Sequence, residues 1–234
     1  MRITGGEFCG RKLKVPAGDK VRPTQDRVRE ALFSMLMNQV RGSLFLDLYA
    51  GSGAVGLEAL SRGAAHVVWL ERCPQHIRLL RQNAEALAPG CGEIVCGEVE
   101  RWLKTAGCGR AADIAFADPP YSEALESGFT ALLELAAANN VVAPGGIFVA
   151  EMPVARRAEA VAGWTLLRDR EYGHTRLAVY RREVEVVEVV ETVEECEIPS
   201  HRVTRSQGQK TLTISTISTT STISTTSTYL TKGS

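Results

Sequence analysis

Nowhere in these 234 residues is there an apolar run long enough to cross a bilayer, so a membrane-spanning helix is not expected. Residues 1–20 lack the apolar stretch of a secretory signal, and export is not expected either. Cysteine is sparse and unpatterned. Cys9, Cys73, Cys91, Cys96, Cys108 and Cys196 form no CxxC pair and show no zinc-site spacing with histidine. They read as reduced thiols in a cytoplasmic protein that holds no metal. The four histidines, His66, His76, His174 and His201, are scattered and read as structural or surface residues. Net charge is also missing, because 27 basic and 27 acidic side chains cancel.

That cancellation hides an uneven distribution. Residues 1–43 carry a net charge of +5, residues 183–197 carry −7, and residues 198–234 carry +4. A basic front end on a near-neutral body is either an electrostatic footprint for a polyanion or a solvated surface. With 44% apolar residues, the chain has enough material for one sizeable core plus extensions.

Three segments follow from the pattern. Residues 1–43 open with a hairpin, Arg2-Ile3-Thr4, a Gly5-Gly6 turn or bulge, then Leu13 alternating with Val15. Pro23-Thr24 starts a helix with Thr24 as N-cap, and Val28, Ala31, Leu32, Met35 and Leu36 recur at helical spacing. Residues 44–182 alternate apolar strands and helices. Strands are expected at 44–49, 67–70, 93–96, 113–117 and 147–150, and helices at 55–62, 75–87, 98–105 and 123–138. Residues 164–168 and 177–181 close the region as an antiparallel pair around Tyr172-Gly173. This is the signature of an α/β, doubly wound, mostly parallel sheet. Residues 183–234 are acidic and then Ser/Thr-rich, and cannot bury enough apolar surface to fold. They are expected to be disordered.

Two motifs carry chemistry. The first, Asp47-Leu48-Tyr49-Ala50-Gly51-Ser52-Gly53-Ala54-Val55-Gly56, joins a buried strand to a helix. Gly51, Gly53 and Gly56 form G-x-G-x-x-G, and Glu71 ends the next strand, placed to accept two ribose hydroxyls. The spacing alone equally allows NAD. Asp47 argues against a pyrophosphate and suits a cationic amino-acid group, and no Tyr-x-x-x-Lys hydride-transfer pair follows. S-adenosylmethionine, with its ammonium and ribose, satisfies Asp47, the glycines and Glu71 together.

The second motif is Asp118-Pro119-Pro120-Tyr121, directly after the apolar run Ile114–Ala117. Ligands bind at the carboxyl edge of such sheets. Two prolines fix φ twice and remove two N–H donors, leaving a stiff corner that presents carbonyl oxygens. Asp118 adds an acceptor and Tyr121 a flat face, which suits a planar group bearing an NH2. An ordinary turn uses the same residue types. The two motifs together point to methyl transfer.

Through these motifs residues 1–182 resemble the bacterial 16S rRNA (guanine-N2)-methyltransferases of the small-subunit methyltransferase D type. The resemblance also rests on residues 1–6, on Arg22-Pro23-Thr24-Gln25-Asp26-Arg27-Val28-Arg29-Glu30 and on Leu57–Ala64. It implies a Rossmann-like class I fold, S-adenosylmethionine as donor and a base of 16S rRNA as acceptor, within a small-subunit particle. It further implies cofactor contacts from Asp47, Ala50, Gly51, Ser52, Gly53, Gly56, Glu71, Arg72, Glu98 and Val99. Asp118, Pro119, Pro120 and Tyr121 would hold the target base. Arg11, Lys12, Lys14, Arg22 and Arg29 are the phosphate-contact candidates, although Arg22 and Arg29 also read as structural, Arg29 through an acid on its own helix. The sequence departs from the family at Glu98, where Asp is usual, and at Cys9, where a basic residue is usual. Alternatives on the same sequence are a DNA adenine-N6 or cytosine-N4 or other amine methyltransferase, an NAD-dependent oxidoreductase, and a noncatalytic RNA-binding module.

Overall fold

The computed structural model describes residues 1–16, 23–120 and 128–184, and the backbone of 212–216 and 225–229. Met1–Val184 form one compact unit, and Glu185–Ser234 fall in a second.

The first unit is built on a seven-stranded sheet. Its strands are β1 Leu44–Leu48, β2 His66–Glu71, β3 Gly92–Cys96, β4 Ala112–Ala117, β5 Val142–Pro153, β6 Trp164–Tyr172 and β7 Thr175–Arg182, ordered β3-β2-β1-β4-β5-β7-β6. β3, β2, β1, β4 and β5 pair in parallel, while β7 runs antiparallel to both β5 and β6. Parallel strands are covered on both faces and read as nearly continuous apolar runs, as Leu-Phe-Leu-Asp-Leu of β1 does. Asp47 is the exception in that run. β1 lies where the strand order reverses, with β2 on one side and β4 on the other. A crevice opens at that switch point, at the carboxyl ends of the strands.

Helices α1 Pro23–Leu36, α2 Ala54–Ser61, α3 Pro74–Leu87, α4 Val99–Leu103 and α5 Gly128–Ala138 complete the unit. One core holds Val28, Leu32 and Leu36 of α1 with Leu57 of α2, Leu80 of α3, and Phe45, Phe116 and Val149 of the sheet. The other holds Leu46, Ala115 and Phe148 with Trp102 of α4 and Leu133 of α5. The N-terminal segment belongs to the first of these cores through Ile3 and Leu13. It therefore packs within the unit.

Several boundaries differ from the sequence reading for identifiable reasons. β5 runs from Val142, because Pro144-Gly145-Gly146 marks a bulge inside the strand. The partners step from Ala112↔Val142 to Ile114↔Ile147. β6 continues to Tyr172 as an exposed edge whose polar residues hide its length. α1 starts at Pro23, so Thr24 sits in the first turn; proline at the first helical position needs no N–H partner. The N-terminal hairpin is a single Arg2↔Lys12 bridge closed by a wide turn through residues 5–10. The start of the helix expected at 123 lies outside the described residues. In the second unit, Leu212–Thr216 (β8) pairs antiparallel with Thr225–Tyr229 (β9). These ten residues form a ladder where lack of structure was expected, consistent with the β propensity of Thr and Ile. The remainder of that expectation lies outside the described residues.

Candidate active site

β1 ends in a turn that only part of the sequence could form without strain. Tyr49 adopts φ 72°, in the left-handed region, and Gly51 and Gly53 follow at 55° and 81°. A non-glycine residue in that region is strained and is held there by its surroundings. The three glycines do different work. A Cβ on Gly53 would sit 2.1 Å from Leu80 of α3, and one on Gly56 would sit 2.1 Å from the Trp69 indole nitrogen of β2, so the first permits close packing of the turn on α3 and the second close packing of α2 on the sheet. A Cβ on Gly51 would meet nothing within 4 Å. It borders open space, where a ligand can approach the backbone.

Asp47 is 1% exposed, and its Oδ2 accepts the Gly56 N–H at 2.8 Å. It thereby caps the start of α2 from inside the sheet. Burial drives its pKa up to about 7; the Gly56 bond opposes that rise, while the charges of Asp118 and Glu71 add to it. Glu71 fastens the same turn: Oε2 accepts from Gly51 N at 2.8 Å, and Oε1 accepts from Arg72 N at 2.9 Å and Cys73 N at 2.7 Å. Oε1 is filled by its two donors, and Oε2 retains a second lone pair for a hydroxyl. Glu98, which follows the neighbouring strand β3, pairs with Arg72 at 3.2 Å beside buried Val99. The Ser52 carbonyl accepts from Asn83 at 3.0 Å, and Asn83 also exchanges hydrogen bonds with the Lys14 backbone.

These residues meet the Pro-Pro corner in one cleft of about 560 Å³, bordered by Tyr49, Gly51, Glu71, Glu98, Asp118, Pro119 and Pro120. A contiguous lobe of about 260 Å³ shares Tyr49, Gly51, Asp118 and Glu151 and reaches Asp47, Ala50 and Ser52. The glycine turn and the Asp118 corner therefore face a common space. Asp118 is exposed where it borders the cleft, yet protein crowds it enough to raise its carboxyl to about 7 by desolvation. Tyr121 lies outside the described residues.

Besides His76 and His174, which the sequence suggested were structural or surface residues, the cleft is bordered by Glu151, which the sequence did not single out. It borders both parts of the cleft, and burial, then the neighbouring charge of Asp118, pushes its carboxyl well above the usual range. Its signal was present: Ile147–Ala150 ends in an acid just as Ile114–Ala117 ends in Asp118. Among the described residues no group of three His, Cys, Asp or Glu comes together as a metal site.

The basic candidates divide. Arg11 and Lys12 are exposed on the N-terminal segment, and exposed Lys14 donates through Nζ to Gln82 at 3.0 Å. Arg22 lies outside the described residues. Arg29 is corrected as a phosphate contact: it is 4% exposed and bound to Glu58 at 2.7 Å, to Asp26 at 3.0 Å and to the Arg2 carbonyl. Glu58, fully buried on α2, also accepts from the Thr4 backbone and hydroxyl and from Arg62 at 2.7 Å. Burial opposes its ionisation, but the bonds from Thr4, Arg29 and Arg62 outweigh it and hold its pKa below the ordinary glutamate value. Arg29 thus clamps the N-terminal segment to the catalytic unit.

A switch-point cleft bounded by a glycine turn, the Glu71 carboxylate and a Pro-Pro corner defines, with this fold, a Rossmann-like class I methyltransferase. Residues 1–181 match the family described as Conserved hypothetical protein 95. The ribosomal RNA small subunit methyltransferase D of Escherichia coli K12 is 37% identical over 186 residues, covering 79% of this chain and 91% of that protein. The structure of a hypothetical protein from Thermus thermophilus is 37% identical with a TM-score of 0.65, covering 79% of this chain and 99% of that one. At 15% identity and a TM-score of 0.56, SMU.776, called a methyltransferase and complexed with SAH, shares the fold over 69% of this chain and 50% of its own. The chain belongs to the ribosomal RNA small subunit methyltransferase D family.

Proposed function

We propose that the protein transfers a methyl group from S-adenosylmethionine to the exocyclic N2 amine of a guanine in 16S rRNA, acting in the cytoplasm on a small-subunit particle. The observation that carries this reading is the shared cleft: the Gly51 turn and the Asp118-Pro119-Pro120 corner line the same space. The residues present fit the cofactor. Asp47 supplies negative charge for its amino-acid end, Gly51 offers open backbone, and Glu71 Oε2 keeps one lone pair for its ribose. Ala50, Ser52, Gly53, Gly56, Arg72, Glu98 and Val99 shape the remaining walls. When bound, S-adenosylmethionine supplies a methyl carbon on a cationic sulfur, the N–C bond forming as the C–S bond breaks.

An aromatic amine is a weak nucleophile because its lone pair is delocalised into the ring. Asp118 and the Pro119 carbonyl accept its two N–H bonds and localise the lone pair on nitrogen, a task of positioning and preorganised acceptors. Methylation makes that nitrogen acidic, and Asp118 takes the released proton before passing it to solvent. The base must leave its stack to enter the cleft, and Tyr121 stacks on it. Arg11, Lys12 and Lys14, with Arg22, hold the RNA backbone.

The test is methyl transfer by the full chain to unmodified small subunits, naked 16S rRNA and duplex DNA, with products identified by nucleoside mass spectrometry. N2-methylguanosine in the particles is expected. Methylated adenine or cytosine in the DNA, with none in the particles, would overturn the reading.

A further inference from the structure

Register makes Asp118 and Glu151 neighbours. β4 and β5 run parallel with Ala117 beside Ala150, so each acid is the next residue along its own strand. Adjacent strands lie about 4.8 Å apart. Both acids border both parts of the cleft. The other acids there are committed elsewhere: Asp47 to Gly56, Glu71 to the N–H groups of Gly51, Arg72 and Cys73, and Glu98 to Arg72. Among the described residues, none donates a hydrogen bond to Asp118 or Glu151. Two adjacent carboxylates with unspent acceptor capacity match a ligand edge carrying two adjacent donors.

Among the nucleobases that carry an amine, guanine has that edge, with its N1–H beside the N2 amine. Adenine and cytosine set a ring nitrogen lone pair next to theirs, which would face a carboxylate. Resting on the guanine-amine reading above, we propose that Glu151 is a specificity residue, accepting the guanine N1–H while Asp118 accepts from the N2 amine. Neither acid can be replaced by the other, since the amine and the ring N–H occupy different positions on the base. Two donors, with a cationic cofactor nearby, also relieve the repulsion between the paired carboxylates.

The test uses 2-aminopurine, which keeps the N2 amine but carries a lone pair at N1. The guanine modified by the wild-type protein is first located by mass spectrometry. A synthetic segment with guanine or 2-aminopurine at that position is then ligated into 16S rRNA and assembled into small subunits. Wild type should methylate guanine about 10- to 100-fold faster than 2-aminopurine, the discrimination typical of one paired base edge. Glu151→Ala should bring that ratio near unity, chiefly by slowing guanine. Glu151→Gln, which keeps the size of the side chain and offers either a carbonyl or an NH2, should give an intermediate ratio. An undiminished ratio in both variants overturns the Glu151 assignment alone. A wild-type product other than N2-methylguanosine overturns the functional reading and this assignment with it.

Discussion

At Asp47 the needs of folding and of binding oppose each other. Its pKa rises from 3.8 to about 7 on burial, so the folded chain binds that proton more tightly than the unfolded chain. The resulting stability is fully present below pH 3.8 and is lost as pH rises through about 7. Asp47→Asn keeps an acceptor for Gly56 and removes the charge. It should raise the stability of the ligand-free protein at pH 8 by on the order of 1–3 kcal/mol in urea unfolding, while weakening S-adenosylmethionine binding in calorimetry. Equal stability of variant and wild type at pH 8 would contradict the account. Asp47 was legible because it interrupts an apolar strand, and Asp118 because two prolines follow it. Glu151 was not, because an acid after a strand has no local partner to mark it; its meaning comes from the register that sets it beside Asp118.

Among the elements, α2 does more than follow the glycine turn. Its Glu58 binds Thr4, Arg29 of α1 and Arg62, and its Ser61 accepts from Phe8 N and donates to the Gly5 carbonyl. One short helix therefore holds both the cofactor turn and the basic N-terminal segment. Glu58→Gln leaves buried Arg29 with Asp26 but without the Glu58 charge and should cost up to about 3–5 kcal/mol in urea unfolding. A loss below about 1 kcal/mol would show that the clamp is not structural. Periodicity located α1 and α3, and apolar runs located β1, β2 and β4. It could not find the Glu58 clamp, whose partners lie 29 and 54 residues away. Nor could it distinguish a turn from a bulge at Pro144-Gly145-Gly146, since both use the same residues.

For the molecule as a whole, a chain of zero net charge separates its signs by place. Asp47, Glu71, Asp118 and Glu151 gather at one crevice, where a cationic donor is favoured. Arg11 and Lys12 lie exposed on the segment that Glu58 ties down, where a polyanion is favoured. Family membership was readable from the motifs because they sit at the switch point of the sheet, where fold and chemistry coincide. The pocket itself was readable only as a juxtaposition of two distant loops, which strand order then supplies. The most direct measurement compares Asp118→Ala with wild type in two assays, S-adenosylmethionine binding by calorimetry and methyl transfer to unmodified small subunits. Asp118→Ala should bind S-adenosylmethionine about as tightly as wild type, with transfer reduced at least about 100-fold, since the amine loses its preorganised acceptor. Transfer at the wild-type rate would contradict this.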